Sequence, residues 1–590
     1  MSAPLKSVVD MSAPGITFYN PNLLHLDQHP VPYYTDFGNK KEAAQLKRAQ
    51  ALAERNNSFS SSKTTGAAAN PIIDTGWLAN VGSVPLDNDI AVSNSGMIIS
   101  AVNTNIYVYD TIGTRLALKG VLNMDTFLNR FTRISDPRLL YDPKEDRFIL
   151  VCFSGNFSTS TSIIMGFSST NDPLGNWNFY SVSGNPFNDS TWSDYPIISI
   201  SDKDMFMTFN QIQDNVGWQN GFRQSVIYQI KKSDGFSAAP LQYTLWDSIK
   251  FNGTLYRNIC PAKYQETNMG DDMYFLSVRN VDVSNDSIFI LHIDDSYQSG
   301  NATLTQRVVT SPVNYGFPPN PSMSNGNFLM TNDGRVLAAI YENDYIHFGA
   351  NSVHPTLSNA GVLLGTIQNV SSATPTVDAQ VFAEPMVEYG YPSMCYMGTS
   401  PTDHRVMFNV AHCYTDSFPG ISVVYKNPSG DYSDFLRVSE GNSPLDRLTS
   451  VNERWGDYSG IQTVYNNPQQ AYLAGTITLN GTARAWVARI QNADFAVGIQ
   501  DQKYNSSTDV FPNPVEDEKF RTRFSLKKKE ELSCNLYDMN GRLIKQLLRG
   551  IGKTGLNEFS FDTGVLSSGN YMFVILGENR KIFTEMISVK

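Results

Sequence analysis

With 590 residues, 41% of them apolar and only 17% charged, the chain can bury a large core and should hold more than one domain. A formal net charge of −11, with no basic stripe interleaved with aromatics, argues against a nucleic-acid partner. No run approaches the roughly twenty apolar residues of a membrane helix, while 29 Tyr, 33 Phe, 41 Gly and 29 Pro favour short strands and tight turns over long helices.

The opening Met1-Ser2-Ala3-Pro4-Leu5-Lys6 lacks the apolar centre of a signal peptide. Residues 1–75 read as an N-terminal extension. It carries one Ala-rich, charged helix over about 39–56, only weakly amphipathic and so expected on the surface with little need of the core. The Ser/Thr/Ala-rich stretch from Ser58 to Asn70 reads as a linker.

From about Gly76 to residue 500 the pattern changes to short apolar strands behind a recurring anchor of Asp or Pro at a turn. Clear anchors are Asp89-Ile90, Ser135-Asp136-Pro137, Asp194-Tyr195-Pro196 and Gly456-Asp457-Tyr458, and weaker ones are Pro261-Ala262, Pro319 to Met323 and Tyr391-Pro392. Their spacing of roughly 45 to 75 residues suits one four-stranded blade plus loops, which predicts an all-β, seven-bladed β-propeller. The alternative, two or three β-sandwiches in series, would show strands without a repeated anchor. The anchor phrases resemble a group of large secreted bacterial propeller proteins over about Asn80 to Ile490, which implies fold and secretion but no activity.

Catalytic and metal motifs are scarce. None of the seven histidines forms a paired metal spacing; His25 and His29 are four apart, but Pro21 and Pro30 flank them. Five cysteines without a CxxC pair suggest neither a zinc site nor a disulfide framework, although one bridge such as Cys395 with Cys413 is open to an oxidising envelope. Ser169 to Trp177 is a poor match to the Asp-box turn of sialidase propellers, and such a turn stabilises a blade rim. The stronger candidates are the anchor carboxylates Asp89, Asp136, Asp194 and Asp457, expected to face the central channel. Converging there, they would hold a cation such as calcium or serve a glycan as acid and base. The structural alternative is that each Asp locks a blade corner by accepting backbone N–H bonds, and recurrence in several blades favours it. No cofactor is expected otherwise.

The last segment, 508–590, changes character. From Asp509 onward the chain carries 13 Lys and Arg against 11 Asp and Glu, leaving 32 against 45 for the rest. Short apolar runs alternate with turns such as Asp538-Met539-Asn540-Gly541 and Ser567-Ser568-Gly569-Asn570, which predicts a small antiparallel β-sandwich. The Lys527 to Lys529 cluster reads as a solvated strand edge.

The order of motifs, Pro512-Asn513-Pro514-Val515, Tyr537 to Arg542, Gly555-Leu556-Asn557, Leu566 to Tyr571 and the terminal Ile587-Ser588-Val589-Lys590, resembles the type A C-terminal sorting domain of the type 9 secretion system of Bacteroidetes. The resemblance implies that Pro512, Asn513, Pro514, Asp538, Gly541, Gly569, Tyr571, Val589 and Lys590 carry the sorting signal. It also implies as partners the translocon, its outer-membrane shuttle β-barrel and a sorting peptidase or transferase. Cargo of this kind crosses the inner membrane behind a cleavable signal, so the sequence is expected to begin at or near a mature end. The expected function is therefore an exported cargo with a non-enzymatic propeller, a cell-surface binding or scaffolding module of an adhesive or gliding-associated kind, or one retained with the translocon. A secreted glycosidase or lyase on a propeller scaffold is the alternative.

Overall fold

The computed structural model describes residues 1–11, 36–56, 66–81, 85–103, 105–120, 134–264, 269–400, 402–414, 418–448, 450–492, 509–516, 518–526, 529–538, 543–564, 566–577 and 581–589. Two compact units divide it, residues 1–497 and 498–590.

Seven sheets form the blades of the first unit. Their innermost strands are Asp89–Val92, Ile134–Asp142, Thr191–Ile200, Cys260–Pro261, Val336–Glu342, Val387–Tyr396 and Gly460–Val464. Each of these packs against the next, and Gly460–Val464 packs against Asp89–Val92, so the ring is closed. Within a blade the strands run antiparallel outward, as in Ile134–Asp142, Arg147–Ser154, Ser162–Ser168 and Asn176–Ser183. Stacking on both faces explains why the inner strands are buried along nearly their whole length, Val387–Tyr396 at every position. The apolar layers between blades are continuous, with Leu86, Ile90, Leu276, Phe348, Leu363 and Trp455 in one cluster.

The described strands of the first eighty residues are woven into this ring. Leu5–Asp10 is the outermost strand of the second blade and Ser2–Ala3 that of the third. Ile72–Val81 pairs antiparallel with Thr482–Gln491, so the last blade is completed by a strand from near the start of the chain. The expectation of a separate extension missed this, because short strands that add at a blade's rim bury one face and show little periodicity.

The helix spans Asp36–Asn56 and is anchored more deeply than its sequence suggested. Its apolar content is low because charged side chains do the docking. Arg48 and Glu388 form a buried pair, each side chain 4% exposed, with two Arg48 Nε contacts at 2.7 and 2.9 Å. Lys41 Nζ donates to Pro318 O and Thr331 Oγ1, and Phe37 packs edge-on against Trp218 and Phe317.

At or just before each innermost strand stands one residue with positive φ: Asp87 (52°), Asp136 (52°), Tyr195 (59°), Asn258 (59°), Asn332 (50°), Tyr391 (52°) and Gly456 (128°). Five of the seven are Asp, Asn or Gly, the residues that enter the left-handed region most readily. In three blades this residue precedes a proline, and the pair is a bulge in the inner strand: Asp136-Pro137, Tyr195-Pro196 and Tyr391-Pro392. The repeated anchor thus has a backbone cause. One anchor was misplaced: Pro319 to Met323 lies in a connection, and the fifth blade begins at Val336.

The second unit holds seven strands, Asp509–Glu516, Lys519–Leu526, Glu530–Tyr537, Leu543–Gly552, Gly555–Asp562, Gly569–Leu576 and Lys581–Val589. Asp509–Glu516 joins two sheets, antiparallel to Lys519–Leu526 at its start and parallel to Lys581–Val589 at Val515. Between them lies a core of Phe520, Phe524, Leu536, Phe561, Phe573 and Ile587.

Candidate functional site

A cavity of about 660 Å³ opens at one mouth of the propeller, a size typical of small-molecule sites. Three of the four sequence-predicted carboxylates, Asp136, Asp194 and Asp457, line it. Asp89 does not join them. Its carboxylate accepts the N–H of Ile90 at 2.9 Å and that of Leu139 at 3.0 Å, and it borders a separate void of about 30 Å³. Its role is the blade lock, tying the first inner strand to the second.

Asp87, two residues ahead, is fully buried and does not line the cavity either, but it supports residues that do. Its Oδ1 accepts the backbone N–H of Asp457 at 2.6 Å and its Oδ2 accepts Asn103 Nδ2 at 2.5 Å. Asn103 in turn accepts the N–H of Asp136 at 2.7 Å. The sequence shows a second carboxylate in Asp87-Asn88-Asp89, but spacing does not tell that it holds Asn103 and Asp457 rather than facing the channel.

Guanidiniums offset part of this charge. Arg335 grips the buried Asp333 through Nε at 2.6 Å and Nη2 at 2.9 Å, and it lies 4.3 Å from the ring centroid of Tyr195. Arg454 pairs with Asp457, whose other oxygen accepts Asn332 Nδ2 at 2.6 Å. Arg454 is placed by a short parallel pairing of Asn452–Arg454 with Phe328–Met330 across the mouth. Arg257 donates to the carbonyls of Gln219 and Trp218.

Below the cavity the axis is filled. Arg138 stacks on Tyr458, 3.2 Å from its centroid, and donates from Nε to Pro196 O at 2.8 Å. The hydroxyls of Tyr458, Tyr195 and Tyr391 donate to Pro137 O, Asp457 O and Met330 O. The cavity is therefore blind. Its walls carry Phe153, Trp192 and Trp218, with Phe157 at the rim 43% exposed. The rim loops are tied where Ser158 N and Oγ donate to Asp214.

Burial and the neighbouring Asp457 push the Asp87 carboxyl up to about 7, and the same two causes push Asp194 up to about 7. Burial, then Asp87 and Asp194, raise Asp136 well above the carboxylate range. Asp333 is held below it, because Arg335 and its hydrogen bonds outweigh burial. Chemically, the floor can accept hydrogen bonds as carboxylates or donate a proton as acids near neutral pH.

Among the described residues no group of three or more His, Cys, Asp or Glu is placed to hold a metal ion. His25 and His29 lie outside the described residues, as do Lys527, Lys528, Gly541 and Lys590. All five cysteines are buried and unbridged. The Ser169 to Trp177 segment is a hairpin turn in the second blade, closed by Trp177 Nε1 donating to Pro173 O at 3.0 Å, and it stands apart from the cavity.

In the tail, Asn513 sits between two prolines that cannot donate. Its side chain substitutes for a strand backbone, with Nδ2 donating to Met586 O at 2.8 Å and Oδ1 accepting Ser588 N at 3.0 Å. Tyr571 OH donates to Ser567 O at 2.9 Å, and Ser588 Oγ donates to Asn570 Oδ1 at 2.8 Å. Pro512, Asn513, Pro514 and Gly569 are exposed, whereas Asp538, Tyr571 and Val589 are half-buried. Among the described residues no helix is long and apolar enough to cross a membrane.

No curated protein matches the chain. Among solved structures it is similar to the Dos1 propeller at 9% identity and TM-score 0.34, over 69% of this chain and 79% of that one. An α-L-arabinofuranosidase, Arb93A from Fusarium graminearum, matches at 9% identity and TM-score 0.33 over 69% and 92%. A PL25 ulvan lyase matches at 9% and 0.30 over 72% and 96%. The blade count rests on the strand pairing itself. Residues 509–590 match the family described as secretion system C-terminal sorting domain, so this part of the chain is a type 9 sorting domain and marks the protein for export to the cell surface or secretion.

Proposed function

We propose that the propeller is a cell-surface binding module, of an adhesive or gliding-associated kind, delivered through the type 9 machinery by its tail and holding its ligand in the blind cavity. The observation that carries this reading is the pairing of aromatic walls with a carboxylate floor in one cavity, the composition of a site for a polar ligand with apolar faces. The translocon, the outer-membrane shuttle and a sorting peptidase or transferase are the partners proposed for the tail. The test uses two chains in the native host. Removal of residues 509–590 abolishes export while the propeller stays folded, and Trp218→Ala with Asp194→Asn in the full chain leaves export intact but abolishes attachment to cells or surface material. Unchanged attachment by the double variant defeats the reading.

A second reading, a glycan-active enzyme, is favoured by one observation: Asp194 is pushed up to about 7, the range a general acid needs. Against it, Asp87 and Asp136 occupy a backbone position that recurs in every blade. Turnover of polysaccharide that disappears in Asp194→Asn would favour the enzyme.

A further inference from the structure

Asp136 is only 8% exposed, lines the cavity, and its carboxylate has no hydrogen bond or ion pair among the described residues. Asp194, also on the cavity wall, is met only by the backbone N–H of Tyr195. The nearby cations are engaged elsewhere: Arg335 with Asp333, Arg454 with Asp457, and Arg257 with two backbone carbonyls. A buried carboxylate without a donor is costly, so the unmet demand of this floor is for N–H or O–H groups, best of all charged ones.

The walls narrow the choice. Trp192 and Trp218 line the cavity and Phe157 stands exposed at its rim, which suits the flat apolar faces of sugar rings, and an aromatic face also favours an adjacent cation. The volume of about 660 Å³ far exceeds a single lysine side chain. The stacked Arg138 and Tyr458 close the bottom, so a chain enters by its end and cannot pass through.

We propose, resting on the binding reading above, that the cavity takes the end of an amino-sugar chain, its ammonium groups against Asp136 and Asp194 and its ring faces against Trp192 and Trp218. Such a ligand supplies the missing donors and favours the ionised form of the two carboxyls, which burial and their neighbours otherwise hold protonated.

The test is calorimetric titration of the full chain at pH 6.5 and low salt with two probes of the same backbone, a β-1,4-linked glucosamine trisaccharide and its fully N-acetylated form. The expected result is that the amine form binds at least about tenfold more tightly, and that Asp136→Asn and Asp194→Asn each weaken it by at least about tenfold. Asn tolerates the left-handed φ of 52° at position 136, and the second variant guards against loss of fold at the first. Equal or tighter binding of the acetylated form overturns the proposal, as does amine binding that both variants leave unchanged. Failure of both probes to bind also overturns it, whereas the attachment assay with Trp218→Ala and Asp194→Asn decides the binding reading separately.

Discussion

The backbone N–H of Asp457 donates to Asp87 Oδ1 at 2.6 Å, joining residues 370 positions apart at the seam where the last blade meets the first. Asn88 Nδ2 to Thr476 Oγ1 and Gln462 Nε2 to Val92 O continue the same seam. The strand Ile72–Val81 completes the last blade and leads along the chain into the first, and polar contacts of this kind add to that tie by fixing the register of the two blades. Asp87→Ala removes the acceptor and forces a β-carbon residue without a local hydrogen bond into φ 52°. The expected cost is about 2–4 kcal/mol, while Asp87→Asn, which keeps the turn and the acceptor for Asp457 N–H but loses the acceptor for Asn103 Nδ2, costs less, about 1–2 kcal/mol. Urea unfolding of the two variants separates these outcomes.

Asp194 gives a signed pH prediction. Its folded-state value of about 7 lies above the ordinary 3.8, so the folded state binds the proton more tightly than the unfolded one. Its contribution to stability is fully present below about pH 4 and is lost as pH rises through 7. Buried neutral His347 and His412, the latter pushed down to about 3, act oppositely below pH 6.5, so the wild-type profile mixes the two. The difference between wild type and Asp194→Asn removes the histidine contribution and reports the Asp194 carboxyl together with its effect on Asp136. The variant gains stability relative to wild type as pH rises from about 4 to about 7 and gains no more beyond it. Melting curves across this range check it, and a flat difference rejects it.

The Arg48–Glu388 pair predicts how the N-terminal helix is held. Each partner is 4% exposed, so removing one leaves a buried charge alone. Arg48→Ala is expected to cost about 3–5 kcal/mol and to release the helix before the ring unfolds. Hydrogen exchange over residues 36–56 reads this directly. Simultaneous replacement, Arg48→Met with Glu388→Leu, should recover most of the loss, since an apolar pair of similar volume avoids the desolvation.

The legible parts of this chain were those where one local rule recurs. Asp136-Pro137, Tyr195-Pro196 and Tyr391-Pro392 share a left-handed residue, a proline and a bulge, so the anchor is a repeated backbone requirement that a single sequence displays. Asp136 and Asp194 reached the cavity beside such bulges, and Asp457 beside the left-handed Gly456. Much of what escaped depends on non-local pairing. Arg454 is placed by Phe328–Met330, more than a hundred residues away. Arg335 and Asp333 form a local pair, but they follow a left-handed Asn332 that no Asp-Pro phrase marks, and Trp218 lies on a short helix beside a loop. The docked helix was underestimated because amphipathicity counts apolar residues, whereas this helix binds through Lys41, Arg48 and Arg55.

The sorting domain offers a prediction about why its motif contains an asparagine between prolines. Pro512 and Pro514 have no N–H to give the last strand, and Asn513 supplies both a donor to Met586 O and an acceptor for Ser588 N. Asn513→Ala leaves these backbone groups to water at an exposed edge, so the expected loss is modest, about 1 kcal/mol. It is nevertheless expected to reduce export more than it reduces stability, because Asn513 holds the C-terminal strand Lys581–Val589, in which Val589 is proposed to carry part of the sorting signal. Asn513→Asp keeps the acceptor and loses the donor, so it should fall between the two. Export assays in the native host, run beside melting of the purified tail variants, test the ordering. Export that tracks stability alone would reduce Asn513 to a fold-holding residue.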